Sequence, residues 1–368
     1  VLGSVGVESG LLGGALAPAV AAARAWAAAV NARGGIGGRP VRVIFGDDGG
    51  NPNQALALVR RMVEQDKVVA FYAFRMPTTM EAVVAYLDGA QVPVIGTCVC
   101  DTAFGRSEMV FNPGGVSGLT GLVWEHILPV TSQTDRRRAA LLTCREAAVC
   151  TALGDGVAQL APKAGLTIVY RGQMSIAQPD FTAEMIAARN AGADTVIAVS
   201  ENATLIRMAR SAHRQNYRPL FVGTHSSHQD SFLTSGGEDV EGAVVAASVP
   251  DYGTSPKLAD YRTAMQRFAP GAPRGSLGAQ AWVAGKMIEH LVALVGERPV
   301  HAKTIVDALY SLRNETLDGL LPPTTYVPDE GHDLTAQCVV GLIIEHGRYV
   351  APRGDDYVCA PGWQPVTR

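Results

Sequence analysis

Residues able to do chemistry gather in a few short stretches of this chain. Cys98 and Cys100 lie in "GTCVCDT", and His225 and His228 in "THSSHQD". Brought together, they could hold a soft metal or pair a thiol nucleophile with an imidazole base. Neither spacing matches a zinc pattern, and the chain has no G-x-S-x-G elbow and no H-E-x-x-H helix. Disulfide cysteines and loop histidines are the plainer account, so no metal, no cofactor and no enzyme activity are expected. The stretch "FRMPTTME" offers Arg75, whose planar fork suits a carboxylate, and Thr78 and Thr79, whose hydroxyls beside free helix N–H groups suit an anion. A solvated arginine and simple helix capping are the competing explanations there. Glu201 and Asn202 follow "TVIAVS" and supply acceptors. The glycines of "NARGGIGGRPVRVIFGDDGGNP" invite a phosphate-loop reading, but such a loop follows a strand and opens a helix. Here they follow the alanine-rich run Ala15 to Ala32 and lead into a β-branched run, so they end a helix and turn the chain.

The elements that must position these residues alternate. Strand-like runs at 41–45, 68–73, 92–96, 139–143, 167–170, 195–199, 220–223 and 243–248 are separated by helix-length segments such as 53–65, 78–90, 183–191 and 203–216. That rhythm predicts an α/β protein with two doubly wound parallel sheets, since 368 residues carry more strands than one domain of ordinary size holds. Gly- and Pro-rich breaks at 111–118, 248–256 and 319–331 predict three crossings between two lobes, with a ligand cleft between them. The expected lobes are 1–117 with 252–324, and 118–251 with 325–368. A net charge of −3 and the lack of a long basic run argue against nucleic acid. Residues 15–32 come nearest to a membrane span, but Pro18, Arg24 and the weak apolarity of alanine make them a core helix. The non-Met start at a strand-like "VLGSVGV" suggests a trimmed beginning, and six cysteines suit an oxidising compartment.

The ordered set "NARGGIGGRPVRVIFGDDGGNPNQA", "VPVIGT", "PDFTAEMIAARNAGADTVI", "LFVGTHSSHQD", "VEGAVVAAS" and "LDGLLPPTTYVPDEGHDL" resembles the type I periplasmic binding proteins of the leucine/isoleucine/valine-binding kind over nearly the whole chain. The resemblance implies an extracytoplasmic, monomeric solute-binding protein that closes over a small carboxylate-bearing solute and hands it to a membrane ABC permease. A ligand sensor on the same fold is the alternative. It places the ligand carboxylate against the loops holding Arg75, Thr78, Thr79, Cys98 and Cys100. It also places His225 where amino-acid binders of the family carry an acid for the ligand ammonium. An imidazole balances an ammonium poorly, so the expected solute is anionic at one end, apolar at the other, and does not require an α-ammonium. Glu201 and Asn202 are the substitutes for the missing acid.

Among the cysteines, Cys144 with Cys150 is the expected pair, closing a short inserted loop, and Cys338 with Cys359 is expected to tie the tail to a strand. Cys98 and Cys100, two apart in an extended segment, are not expected to close on each other.

Overall fold

The computed structural model describes residues 1–9, 13–97, 107–115, 118–328 and 337–365. Cys98 and Cys100 therefore lie outside the described residues. In chain order, the opening segment runs β1 (Leu2–Gly6), α1 (Gly13–Ala32), β2 (Val43–Asp47), α2 (Pro52–Glu64), β3 (Ala70–Phe74), α3 (Glu81–Ala90), β4 (Val94–Thr97) and β5 (Val110–Phe111). The middle segment runs α4 (Gly118–Glu125), α5 (Leu128–Gln133), β6 (Arg138–Cys144), α6 (Ala148–Leu160), β7 (Thr167–Met174), α7 (Thr182–Asn190), β8 (Thr195–Val199), α8 (Asn202–His213), β9 (Leu220–Gly223), α9 (Asp230–Gly236) and β10 (Val244–Ala247). Three helices follow, α10 (Ala259–Phe268), α11 (Ser276–Val295) and α12 (Ala302–Ser311), and then β11 (Cys338–Glu345), β12 (Arg348–Val350) and β13 (Tyr357–Cys359).

These elements form two compact units, Val1–Gly118 with Tyr252–Ala336 and Gln364–Arg368, and Leu119–Asp251 with Gln337–Trp363. The chain passes between them after 118, 251, 336 and 363, whereas the sequence reading places three crossings, after 117, 251 and 324. Residues 325–326 stay with the first unit for a physical reason. The Thr325 hydroxyl accepts the N–H of Asn314 at 2.9 Å, and the Tyr326 ring packs edge-on against Phe111 at 5.1 Å.

In the first unit the parallel strands lie in the order β2-β1-β3-β4-β5. The direction of winding reverses between β1 and β3, the place where open α/β sheets bind ligands beyond the strands' carboxyl ends. Helix α2 covers one face because Ala55, Val59 and Met62 recur at helical spacing and are buried with Val5, Phe71, Phe74 and Leu87. Its start is fixed by Asn51, whose side chain accepts the N–H groups of Asn53 and Gln54, and by Pro52 in the first turn. Helix α1 is long and apolar enough to cross a membrane by length and composition, yet Ala22, Ala23, Ala25 and Trp26 are all buried. Trp26 packs on Tyr72 with ring centroids 4.8 Å apart and donates its Nε1–H to Glu289 of α11 at 3.0 Å. Gly285 admits that indole, since a Cβ there would stand 2.5 Å from it.

In the second unit the sheet order is β12-β11-β10-β9-β8-β6-β7, with β13 also on β11. Strands β6 to β10 pair in parallel, while β11 runs antiparallel to its neighbours. Both expected disulfides are present here. Cys144–Cys150 ties the end of β6 to the first turn of α6, and Cys338–Cys359 bridges directly opposed residues of β11 and β13.

Candidate functional site

At the winding reversal of the first unit, β1 and β3 end side by side, and Gly6 bridges Arg75 in parallel. A Cβ on Gly6 would stand 2.3 Å from the Arg75 carbonyl oxygen, so only glycine permits this approach. One residue pair earlier the ladder between β3 and β4 skips Ala73, which has φ +49°. The Ala73 carbonyl accepts Arg75 Nη1 at 3.0 Å and the Ser4 hydroxyl at 3.4 Å. Arg75 is thus not a solvated fork awaiting a ligand. It is 1% exposed, Nη1 also donates to Ser4 Oγ at 2.6 Å, and Nη2 donates to Glu8 Oε1 at 2.8 Å. Burial pulls the guanidinium below its ordinary pKa, and Glu8 and then Asp48 oppose that pull. Only Nε lacks a partner among the described residues, and Arg75 lines, with Gly96 and Gln280, a cavity of about 20 Å³, room for a single water.

Thr78 and Thr79 divide. Helix α3 starts at Glu81 with Met80 as its cap residue, so neither threonine caps it, contrary to the sequence reading. Thr79 is buried and its hydroxyl donates to Asp48 Oδ2 at 2.7 Å, whereas Thr78 is exposed. The acids of "FGDDGG" close the same corner. Asp48 Oδ1 accepts the Gly50 N–H at 2.9 Å. Asp47 is held down to about 2 by the Ser9 hydroxyl first, then by the backbone N–H groups of Glu8, Gly49 and Ser9.

In the second unit the residues named from sequence lie beyond the carboxyl ends of β8 and β9. Glu201 caps α8, accepting from the N–H groups of Ala203 at 2.5 Å and Thr204 at 3.0 Å, and from the Thr204 hydroxyl. Asn202 is likewise engaged, donating to the Ser226 carbonyl at 2.9 Å and accepting the Ser227 hydroxyl at 2.7 Å. It thereby braces the short turn 225–227 that carries His225. His225 is 7% exposed and its Nδ1–H donates to Glu125, 2.7 Å from Oε2 and 2.9 Å from Oε1. Glu125 is fully buried at the end of α4, where the helix dipole disfavours a carboxylate and a cation is the natural complement. Burial alone would lower the His225 pKa, but the charge and hydrogen bond of Glu125 outweigh it and the net shift is upward. His126 beside it is pushed down by burial and bonds the Leu122 carbonyl through Nδ1 at 2.8 Å.

A second buried pair sits three residues on. His228 Nε2 is 2.7 Å from Asp251 Oδ1, and its ring stands edge-on to Tyr349 at 4.7 Å. No group of three or more His, Cys, Asp or Glu side chains among the described residues is arranged to hold a metal. Sequence reasoning missed Glu8, Asp48, Glu125 and Asp251. The two aspartates had a local signal, in the acids of "FGDDGG" and in the break after β10. Glu125 had none.

A family model described as "Periplasmic binding protein" matches residues 1–344. A curated relative, "Amino acid binding protein" of Pseudomonas aeruginosa, is 24% identical over 249 residues, 66% of this chain. The chain spans 64% of that relative's length. Among solved structures, the fold is similar to an ABC transporter substrate-binding protein from Sphaerobacter thermophilus, with TM-score 0.76, 20% identity, and 98% of this chain and 97% of that one covered. It is also similar to a branched-chain amino acid ABC transporter protein from Thermus thermophilus with bound valine, with TM-score 0.74, 16% identity, and 96% and 95% covered. With the two doubly wound units described above and a family match that runs through both of them, this chain belongs to the periplasmic binding protein family.

Proposed function

We propose that this protein is an extracytoplasmic solute-binding protein of an ABC importer, not an enzyme, and that its solute is a small molecule with a free carboxylate. Amino acids and amino-acid-like, aromatic and oxo acids are the candidate classes. The observation that carries the reading is the family match over residues 1–344. In this reading the candidate solute contacts are Thr78 in the first unit, exposed beside its winding reversal, and His225 in the second. Arg75, Thr79 and Asn202 act through other residues, holding the Ala73 carbonyl, the Asp48 corner and the 225–227 turn. A membrane ABC permease is the proposed partner, and the protein acts as a monomer. A thermal-shift screen against amino acids, aromatic acids and oxo acids tests the reading, because a ligand that binds only the native state raises its stability by mass action. A panel in which no carboxylate moves the midpoint would contradict it.

A further inference from the structure

In the buried Glu125–His225 pair, one of the two imidazole nitrogens carries the contact with the carboxylate. Nδ1 is committed to Glu125, while Nε2 makes no hydrogen bond among the described residues. The side chain retains 8% of its exposure, and its carboxylate partner has none. Which group Nε2 can recognise depends on one proton. With the ring neutral, Nδ1–H still faces Glu125 and Nε2 offers a lone pair backed by a negative charge, which suits an ammonium. With the ring protonated, the pair is neutral overall and Nε2–H is a donor, which suits an anionic oxygen.

The surroundings favour the second state. Among the described residues the only ion-pair partner of the buried Glu125 carboxylate is His225. The other titratable groups on the packed elements do not displace that pairing. His126, following α4, is driven toward neutrality by burial. His228, on the same turn as His225, is taken by Asp251 after β10, and Tyr349 of β12 donates to the Ser227 carbonyl and accepts the N–H of Gln229 at 3.0 Å. Glu201 of α8 is spent on its own helix start.

We propose that His225, braced by Glu125, is the specificity-determining residue of the second unit: an imidazolium whose Nε2–H binds an anionic oxygen of the solute, so that affinity is coupled to proton uptake. The proposal rests on the solute-binding reading above and names the group recognised. It makes the protein select for a carboxylate or similar oxyanion at this position and against an ammonium. Above the His225 pKa, affinity falls about tenfold per pH unit, because only the protonated ring binds.

The test uses the intact chain with 4-methyl-2-oxopentanoate and L-leucine as matched probes differing at one carbon. Imidazole resonances of His225 are followed by NMR from pH 5.5 to 9.5, alongside calorimetric Kd values for wild type, His225→Gln and Glu125→Gln, each checked for a native circular dichroism spectrum. The expected result is tighter binding of the oxo acid at low pH, a His225 pKa that the oxo acid raises further, and loss of the pH dependence in His225→Gln. Binding of the oxo acid with equal Kd by wild type and His225→Gln across that range would make the pair purely structural and overturn the inference, leaving the solute-binding reading intact. Binding of L-leucine that strengthens as pH rises would show the lone-pair state at work and overturn it as well. Failure of every carboxylate, these probes included, to shift the wild-type melting midpoint would instead remove the reading on which the inference rests.

Discussion

Glu125 and His225 are 100 residues apart in the chain, yet the Nδ1 of one lies 2.7 Å from a carboxylate oxygen of the other, and both side chains are buried. Because the folded-state pKa of His225 is raised, the stability this pair contributes is fully present below the unfolded value of about 6.5 and is lost as pH rises through the folded value. Replacing Glu125 by Gln should therefore cost about 1.5–3 kcal/mol at pH 5.5, the range for a charged hydrogen bond, and distinctly less at pH 9. Urea unfolding at the two pH values checks this. An equal cost at both would show that the imidazole is not charged in the native state.

Arg75 should behave as a structural residue. Its loss takes a donor from the Ala73 carbonyl and the Ser4 hydroxyl and leaves Glu8 with the longer contact to Arg24, so Arg75→Ala should destabilise the protein by about 3 kcal/mol, the low end for a broken buried pair because Glu8 keeps 24% of its exposure. Arg75→Lys should recover only part of this, since an ammonium lacks the fork that reaches Ser4, Ala73 and Glu8 together. Denaturant midpoints of the two variants are the measurement, and an unchanged midpoint for Arg75→Ala would return the guanidinium to a ligand-binding role.

The outcome at these residues shows what was legible in the sequence. Residues 195–199 and 220–223 were read correctly as strands because buried parallel strands are continuous apolar runs, and α2 because its apolar residues repeat at helical spacing. The strands after residue 337 were not assigned, since they form an antiparallel edge that follows a long Gly/Pro-rich stretch. For the candidate site, the contacts of the named residues were not legible in the sequence. A Thr-Thr before a helix looks like a cap whether the helix starts at 78 or at 81, and the three-residue difference turned Thr79 inward to Asp48. Glu125 was invisible because nothing local marks a carboxylate whose partner lies on a different strand end. The burial of Arg75 was not legible because it depends on a glutamate 67 residues away.

The glycines after α1 are turn devices, and they should differ in a graded way. Gly35 has φ +81°, and a Cβ there would stand 1.9 Å from the Arg39 carbonyl oxygen, while Gly37 has φ +57° with open space around it. Gly37→Ala should cost about 1–2 kcal/mol for the left-handed conformation alone, and Gly35→Ala more, because the turn itself must shift. Thermal melts that ranked the two the other way would contradict the turn geometry.

The two disulfides should contribute unequally. They close loops with sequence separations of 6 and 21, for which chain entropy gives about 2.4 and about 3.4 kcal/mol. Paired serine replacements at Cys338 and Cys359 should therefore lower stability more than those at Cys144 and Cys150, read from urea midpoints under non-reducing conditions. The reverse order would mean that residual structure in the unfolded chain, rather than loop length, sets the difference.

The most direct test of the proposed function is calorimetric titration of the strongest hit from the acid panel against its own methyl ester, at pH 6 and the same ionic strength. The ester keeps the shape and removes only the charge that protonated His225 is proposed to hold, so the acid should bind at least about tenfold more tightly, the equivalent of one charged hydrogen bond. Equal Kd values for acid and ester would contradict recognition of a carboxylate and with it the central claim.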